Sequence, residues 1–435
     1  MITVYSGLGT RPAEAVGKGS RRGAANGTVI ALGFTSFFTD ISSEMVAAIL
    51  PLFLTVSLGF SPAAFGLFQG AYELANAALR LVGGAVADRT RRPKETAAAG
   101  YGLSTLTRAG LLGSIWVGLP AVPFLLIDRL GKGLRTGPRD AMISLATPQA
   151  SWGTAFGIHR SMDAAGALIG PLLAFAVLLA VPESFDSIFV LSFGFGLLGV
   201  AVITTQVRNP TIGVVSPERV GVRTRSSLRD QLRIPGFRRI VVLGSAFGLF
   251  TVGDALVYLV IWDASAQEAT LGTSGFGMEW FPMLFAGTAV AFVLSATPIG
   301  RIADRVGRAR VWVAGHVMLA AVYGMLLWRP ADTASIVVIL LLLGLYYGAT
   351  DGVLPALAAG VIPEESRSAG LALLATAVAL ARMASAAGFG LIWEWIGADG
   401  AVRMALFGLL ATMALSVVGA IRGSSSPRGD LDRTK

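Results

Sequence analysis

The sequence predicts an all-α polytopic membrane protein, with twelve transmembrane helices in two six-helix, pseudo-symmetric bundles. Aliphatic and aromatic residues make up 54% of the 435 residues and charged residues only 14%, whereas about a quarter of the residues of a soluble domain are charged. Apolar runs of about twenty residues recur along the chain, and each is long enough to cross a bilayer as a helix. Landmarks of the first half also recur in the second half, which indicates a duplication.

Twelve spans follow from the apolar runs that charged, proline or glycine residues separate. They are predicted at 28–56, 62–86, 95–117, 120–145, 152–181, 184–206, 238–263, 279–301, 309–328, 334–359, 366–393 and 400–422. A polar, arginine-rich segment divides six spans from six. The predicted organisation is a tail at 1–27, a bundle at 28–206, a linker at 207–237, a bundle at 238–422 and a tail at 423–435.

The distribution of Lys and Arg predicts the orientation, because these residues are retained on the cytoplasmic side. If both termini are cytoplasmic, most of the 35 basic residues fall in the tails and cytoplasmic loops, and the outer loops hold Arg329 and Arg403. Residues 1–26 are basic but have no apolar core, so no cleavable signal peptide is predicted. We therefore expect a multi-pass protein of the cytoplasmic (inner) cell membrane with both termini inside.

A charged loop motif occurs once in each half. Its residues are Gly84, Asp88, Arg89 and Arg92 after span 2, and Gly300, Asp304, Arg305 and Arg308 after span 8. Asp40 and Asp254, and likewise Pro148 and Pro363, repeat at nearly the same spacing. A carboxylate at a cytoplasmic helix end can accept hydrogen bonds from a helix N-terminus or an arginine. The motif therefore predicts a latch at a cytoplasmic gate.

With these motifs the chain resembles the major facilitator superfamily over about residues 28–422. The second loop matches the family's Gly-x-x-x-Asp-Arg-x-Gly-Arg pattern, whereas the first has Arg91 in place of glycine and Pro93 in place of a basic residue. Arg129 and Gly133 match the span 4 pattern. The span 5 pattern that is associated with antiporters is matched by Gly157, Gly166, Gly170 and Pro171, but Ala174 and Phe175 replace its closing glycines. The resemblance implies transport by alternating access and favours antiport.

Acidic residues inside the spans are candidates for proton coupling, since an ionisable group in a membrane usually faces a cavity or a partner. The candidates are Asp40, Glu44, Asp163 and Asp254. Asp40 and Glu44 lie one helical turn apart, and two carboxylates this close in a poorly hydrated site do not both ionise easily. One of them is therefore expected to load a proton, and Asp163, near His159, ranks next.

A second group of polar residues is predicted to line a substrate cavity. Its members are Gln69, Glu73, Asn76, Arg108, Asp128, Lys132, Arg135, Arg160, Tyr346, Tyr347, Asp351 and Arg382. Asp128, Lys132 and Arg135 share one face of span 4, because they follow i, i+4, i+7 spacing. The competing interpretation is that these charges form structural ion pairs. His316, alone in an apolar span, is predicted to be a hydrogen-bonded packing residue.

The expected function is secondary active transport of a small organic solute, by proton-coupled efflux (antiport). Basic residues around spans 3 to 5 favour an anionic substrate, whereas Asp40, Glu44 and Glu73 favour a cationic amphiphile, so both stay open. A proton is favoured over sodium as the coupling ion. The alternatives are a proton or sodium symporter for an organic anion, a lysolipid or lipid flippase, and a solute sensor that does not transport.

The sequence also argues against other classes of protein. It has no cysteine and two histidines, and it lacks a nucleophile elbow, a metal-ligand spacing and a nucleotide-binding loop. Its basic residues form no compact domain of the kind that binds nucleic acid. We therefore expect a monomer in the lipid bilayer that binds a small molecule and a coupling ion, needs no cofactor, metal or nucleotide, and is not an enzyme.

Overall fold

The computed structural model of the chain describes residues 27–75, 92–148, 151–207, 231–270, 276–328, 332–363 and 366–424. The predicted N-terminal tail, most of the linker and the predicted C-terminal tail lie outside these ranges. The same is true of four predicted site residues, Asn76, Gly84, Asp88 and Arg89.

The first half is built from helices that match five of the predicted spans to within a few residues, and of the remaining span, 62–86, the structure describes 62–75. They are α1 (Gly27–Leu52, continued by a π-helical turn at Phe53–Ser57), α2 (62–75), α3 (Pro93–Trp116), α4 (Ala121–Leu145), α5 (Trp152–Ala180) and α6 (Phe185–Gln206). The helix α1 packs against α5 and α6, and α3 packs against α4 and α6.

The second half contains more helices than spans, because two spans are interrupted. Its helices are α7 (Pro235–Leu249), α8 (Asp254–Thr270), α9 (Phe281–Val306, preceded by a 3-10 turn at Met278–Trp280), α10 (Arg308–Leu326), α11 (Thr333–Thr350), α12 (Val353–Ala359) and α13 (Arg367–Ser424). Within α13, Gly397 has φ 81° and ψ 168°, a conformation that glycine adopts without steric cost. This break separates predicted spans 11 and 12.

Two of the predicted spans contain a break in the helix, although each still forms one stretch long and apolar enough to cross a membrane. The predicted span 238–263 is broken at 250–253, between α7 and α8, and the predicted span 334–359 turns at 351–352, between α11 and α12. Gly253 and Gly352 stand at these breaks, where the absence of a side chain lowers helix propensity. Hydropathy averaged over a span does not reveal such a break, because one aspartate at the break, Asp254 or Asp351, hardly changes the mean.

The all-α membrane fold is confirmed. No strand occurs among the residues that the structure describes, and eight of their helical stretches are long and apolar enough to cross a membrane. The helix α4 is not one of these eight, because it carries six charged side chains: Asp128, Arg129, Lys132, Arg135, Arg139 and Asp140. A helix of that composition needs partners on its neighbours if it is to lie inside a bilayer.

The helices α1 and α5 approach each other closely at glycines of α5. A Cβ atom added at Gly166 would lie 2.4 Å from the carbonyl oxygen of Phe37, and one added at Gly170 would lie 2.9 Å from that of Ile41. Small residues permit such backbone contact between membrane helices. The span 5 motif of Gly166, Gly170 and Pro171, all buried, therefore lies at this helix interface.

Replacing Gly166 by Ala is expected to destabilise the protein by about 1–3 kcal/mol, the usual cost of overpacking a close contact. Thermal unfolding of the purified protein in detergent measures the effect. Gly157→Ala, on the same helix, is the matched control, because a Cβ atom there meets nothing within 4 Å. Equal stability of the two variants would show that the α1–α5 contact does not limit packing.

Candidate functional site

The charged face of α4 pairs with the two acidic residues of α1. Lys132 Nζ lies 3.5 Å from Glu44 Oε1, and Arg135 Nη2 lies 3.3 Å from Asp40 Oδ1. The guanidinium of Arg135 also lies over the ring of Tyr101, 4.6 Å from its centroid. The structure therefore gives Asp40 and Glu44, which the sequence suggested as a like-charged pair, a separate basic partner each.

A second cluster, nearer the N-terminal end of α4, consists of Asp128 and two arginines. One Asp128 oxygen accepts a hydrogen bond from Arg108 on α3, and the other lies 2.6 Å from Arg129 Nη2. All three side chains are buried, and the Arg129 guanidinium lies 4.3 Å from the ring centroid of Tyr72. Because every charge has a partner, this triad fixes α3 and α4 relative to each other.

Asp163 on α5 joins the α1–α4 ion pairs. Its carboxylate lies 3.6 Å from Arg139 Nη1 and 3.7 Å from Arg160 Nη1. Asp163 and Asp40 also interact electrostatically, and Asp163 Oδ1 is buried without a hydrogen-bond partner among the described residues. The structure therefore brings two acidic side chains from α1 and α5 together between Arg135 and Arg139.

Neutral polar groups surround this carboxyl pair. Ser36 Oγ lies 3.0 Å from His159 Nε2 and 3.2 Å from the hydroxyl of Tyr101, and it accepts a hydrogen bond from Arg139 Nη1 at 3.4 Å. These groups can exchange and relay protons, since each hydroxyl both donates and accepts. We did not predict Ser36 or Tyr101 from the sequence, where a Ser and a Tyr in spans carry no distinguishing signal.

In the second half, the break between α7 and α8 places Asp254 at the first residue of α8. The Asp254 carboxylate accepts a hydrogen bond from the hydroxyl of Tyr347. The exposed backbone groups of the break are satisfied by side chains: the hydroxyl of Tyr323 accepts from Val252 N at 2.8 Å, and Ser385 donates to Thr251 O at 3.1 Å. Interrupted helices near the middle of a membrane typically form solute and ion sites.

The first half faces this break through α2. A Cβ atom at Gly253 would lie 3.8 Å from Gln69 Nε2. Glu73, one turn further along α2, lies within electrostatic range of Asp254, Asp351 and Arg382. The predicted cavity residues Gln69, Glu73, Tyr346, Tyr347, Asp351 and Arg382 thus come together between the two halves.

Other predicted residues lie apart from this cluster. Asp304 and Arg308 form an exposed ion pair at 2.9 Å, and Arg308 donates to Ala356 O at 3.2 Å, so the second loop motif ties the end of α9 to α12. Arg305 is exposed and Gly300 half-buried near this end of α9, and Gly133 is buried in α4. His316 is confirmed as a packing residue, since its Nδ1 lies 2.8 Å from Trp312 O and its ring lies against that of Phe247, with centroids 4.2 Å apart and planes tilted by 48°.

The halves also meet at one end of the molecule, where α2 begins and α5 finishes; we call it the closed end. Glu394 Oε2 accepts hydrogen bonds from Ser61 Oγ at 2.6 Å and from Ala63 N at 3.1 Å. A Cβ atom at Gly66 would lie 2.4 Å from Ala386 O, and the rings of Phe175 and Trp280 lie 4.8 Å apart. The sequence does offer a signal for this contact. Gly66 and Gly70 are four residues apart and so lie on one face of α2, where small residues permit close packing of a second helix.

No group of His, Asp or Glu side chains suited to a metal ion occurs among the described residues. The basic and acidic side chains of the site are instead arranged to bind one another, a charged solute or a proton.

The chain is similar to known proteins over most of its length. It matches the family model described as Major Facilitator Superfamily over residues 32–386. An uncharacterised MFS-type transporter of Methanocaldococcus jannaschii is 29% identical over 371 residues, which is 84% of this chain and 88% of that protein. An uncharacterised protein of Mycobacterium tuberculosis is 27% identical over 373 residues, 85% of this chain and 86% of the relative.

Solved structures of low identity share the fold. The nucleoside transporter NupG has a TM-score of 0.68 at 15% identity and covers 91% of this chain and 98% of its own. A bacterial homologue of the human lysosomal transporter Spinster, in an inward-facing and unoccupied conformation, has a TM-score of 0.66 at 14% identity and covers 93% of this chain and 96% of its own.

Proposed function

The chain belongs to the Major Facilitator Superfamily, a family of transporters rather than enzymes, and from this premise we propose that it exports a small organic solute from the cytoplasm in exchange for protons. Multi-pass insertion and a small-molecule substrate follow from the family. Proton coupling, antiport, the cytoplasmic membrane and the inward orientation of both termini are parts of the proposal.

Proton coupling is supported by the electrostatic interaction between Asp40 and Asp163 and by Asp163 Oδ1, which is buried without a hydrogen-bond partner among the described residues. Two neighbouring carboxylates repel each other, and a proton on one of them would let it donate a hydrogen bond to the other. Arg135 and Arg139 pair with these two acids, so each guanidinium keeps an acidic neighbour whether the pair holds one proton or none. The pair also joins α1 to α5, and a change in its protonation would alter the contact between these helices.

Alternating access requires that the solute site open to one side at a time, and the closed end supplies one barrier. The basic residues predict that this end faces outside, in which case the site between the halves is shielded from the exterior in this structure. We propose that Glu394 holds this barrier shut and releases α2 when the halves rock about the central site.

Replacing Glu394 by Ala is expected to populate conformations in which the closed end separates, because Ser61 Oγ and Ala63 N lose their shared acceptor. The chain has no cysteine, so spin labels can be attached at Val117→Cys and Trp328→Cys, two exposed residues of opposite halves. The distance between the two labels is measured by pulsed electron paramagnetic resonance. A broader, longer distance distribution is the expected result. An unchanged distribution would mean that the glycine contacts of α2 alone keep the end closed.

Antiport is supported by the span 5 motif, which is associated with antiporters and lies in the α1–α5 interface beside the carboxyl pair. In this arrangement, proton binding to Asp40 or Asp163 and the packing of Gly166 and Gly170 act on the same two helices. The solute and the proton would then be carried across the membrane in opposite conformational steps. The proton gradient, directed inward, would drive export of the solute.

Transport into proteoliposomes with an imposed pH gradient tests the proposal. The purified protein is screened against organic anions, cationic dyes and zwitterions while internal pH is followed with a dye. We expect solute to move against the proton flux. Solute movement with the proton flux would establish symport, and stimulation by a sodium gradient at fixed pH would replace the proton by sodium as the coupling ion.

A further inference from the structure

Three charged side chains between the halves have no direct partner. Glu73 on α2, Asp351 after α11 and Arg382 on α13 make no ion pair within 4 Å and no side-chain hydrogen bond among the described residues, and the Nε atom of Arg382 is buried without a hydrogen-bond partner. By contrast, Arg108, Arg129, Lys132, Arg135, Arg139 and Arg160 all pair with carboxylates. Each of these six basic residues of α3, α4 and α5, which suggested an anionic solute, thus already has an acidic partner.

These three groups face one another across the boundary between the halves. A Cβ atom at Gly70, one turn before Glu73, would lie 2.8 Å from the carbonyl oxygen of Met383, the residue after Arg382. Arg382 lies within electrostatic range of both Glu73 and Asp351, and all three side chains are half-buried. The three groups therefore lie on elements that meet at the boundary between the halves.

From this charge pattern we infer that the transported solute is a zwitterion, with an amine bound between Glu73 and Asp351 and a carboxylate or phosphate bound by Arg382. The inference rests on the proposed function as a transporter with its solute between the halves. A partly buried charge without a partner is costly. A ligand that places an ammonium beside the two carboxylates and an anion on Arg382 gives partners to both signs, and it therefore gains more than a ligand of one sign. The arginine fork suits a planar carboxylate or a phosphate.

Solutes of a single charge fit this site less well. A purely anionic solute at Arg382 would bring a further negative charge towards Glu73 and Asp351. A purely cationic solute would leave the Arg382 guanidinium without hydrogen bonds. Tyr346 and Tyr347 interact electrostatically with Arg382, and their rings, whose centroids are 5.0 Å apart, offer aromatic faces to an ammonium group.

Binding to the purified protein in detergent, at one pH and without a gradient, tests this inference. The probes are 5-aminopentanoate, pentylamine and pentanoate, together with the corresponding zwitterion, amine-only and carboxylate-only forms of phenylalanine and of a dialanine peptide. Binding is first detected as an increase in the unfolding temperature, and the affinity is then measured by titration calorimetry. We expect at least one zwitterion to bind about 10- to 100-fold more tightly than either of its single-charge counterparts, since a hydrogen bond to a charged group contributes about 1.5–3 kcal/mol.

The variants give each charge its own test. Arg382→Gln is expected to remove the advantage of the zwitterion over the amine, and Asp351→Asn or Glu73→Gln to remove its advantage over the carboxylate. Arg382→Lys keeps the charge but not the planar fork, so it is expected to retain part of the advantage. If Arg382→Gln does not fold, Asp351→Asn and Glu73→Gln carry the test. Arg403→Gln, at an exposed arginine of α13, is the control.

Stronger binding of a single-charge probe, or no binding of any zwitterion, would overturn the inference. So would an unchanged preference in Arg382→Gln, or in both Asp351→Asn and Glu73→Gln. Because this measurement needs no gradient, zwitterion binding without proton-driven transport would refute the proposed coupling and leave the site intact.

Discussion

Replacing Asp128 by Asn is expected to destabilise the protein by about 3–5 kcal/mol, the usual cost of removing one partner from a buried ion pair. Asp128 accepts hydrogen bonds from both Arg108 and Arg129, and all three side chains are buried. The amide leaves two buried guanidinium groups with no negative charge next to them. Thermal or denaturant unfolding in detergent measures the loss.

The control for this prediction is Asp304→Asn, which breaks the exposed i,i+4 pair with Arg308. An exposed helical pair contributes only about 0.3–0.5 kcal/mol, so the control should unfold close to wild type. If Asp128→Asn unfolds like Asp304→Asn, the triad on α3 and α4 is solvated and does not fix these helices. The cavity would then have to extend to Asp128.

Replacing Asp163 by Asn is expected to abolish accumulation of solute against a gradient while sparing exchange of solute at equal pH on both sides. The amide cannot take up or release a proton, so the conformational change no longer depends on the proton gradient. Asp40→Asn is expected to give the same result, because both carboxyls hold the same proton. Proteoliposomes measure accumulation and exchange in the same preparation.

Two variants separate coupling from a general loss of function. Glu44→Gln removes the acid that is paired with Lys132 and is expected to retain some gradient-driven accumulation. Glu183→Gln, in the exposed turn between α5 and α6, should behave like wild type. Accumulation by both Asp40→Asn and Asp163→Asn would place the coupling group elsewhere, with Asp254 as the next residue to replace.

Hydropathy and charge distribution predicted the fold well, because crossing a bilayer demands long apolar segments whatever their contacts. The charged face of α4 was also predictable, since Asp128, Lys132 and Arg135 follow helical spacing. The residues that pair with that face could not be predicted from the sequence. Whether Asp40 faces Glu44 or Asp163 depends on how α1 and α5 are rotated against each other, and the approach of their backbones at Gly166 sets this rotation.

Three parts of the site gave weak signals in the sequence. The break at 250–253 lies in an apolar run whose one charge is Asp254. The sequence therefore indicates a carboxylate there but no break, and the structure shows that Tyr323 and Ser385 satisfy the backbone groups of the break. The absence of a partner for Arg382 is a property of the packed structure alone. Glu394 stands at a predicted loop boundary, where a single acidic residue has no distinguishing pattern.

The central claim is that Asp40 and Asp163 share the coupling proton, and infrared spectroscopy of the purified protein tests it most directly. A protonated carboxyl group has a C=O stretching band that a carboxylate lacks. We expect such a band at neutral pH in the wild type and in Glu44→Gln, and we expect it to be lost in both Asp40→Asn and Asp163→Asn. A wild-type spectrum without the band, or a band that persists in both variants, would contradict the claim.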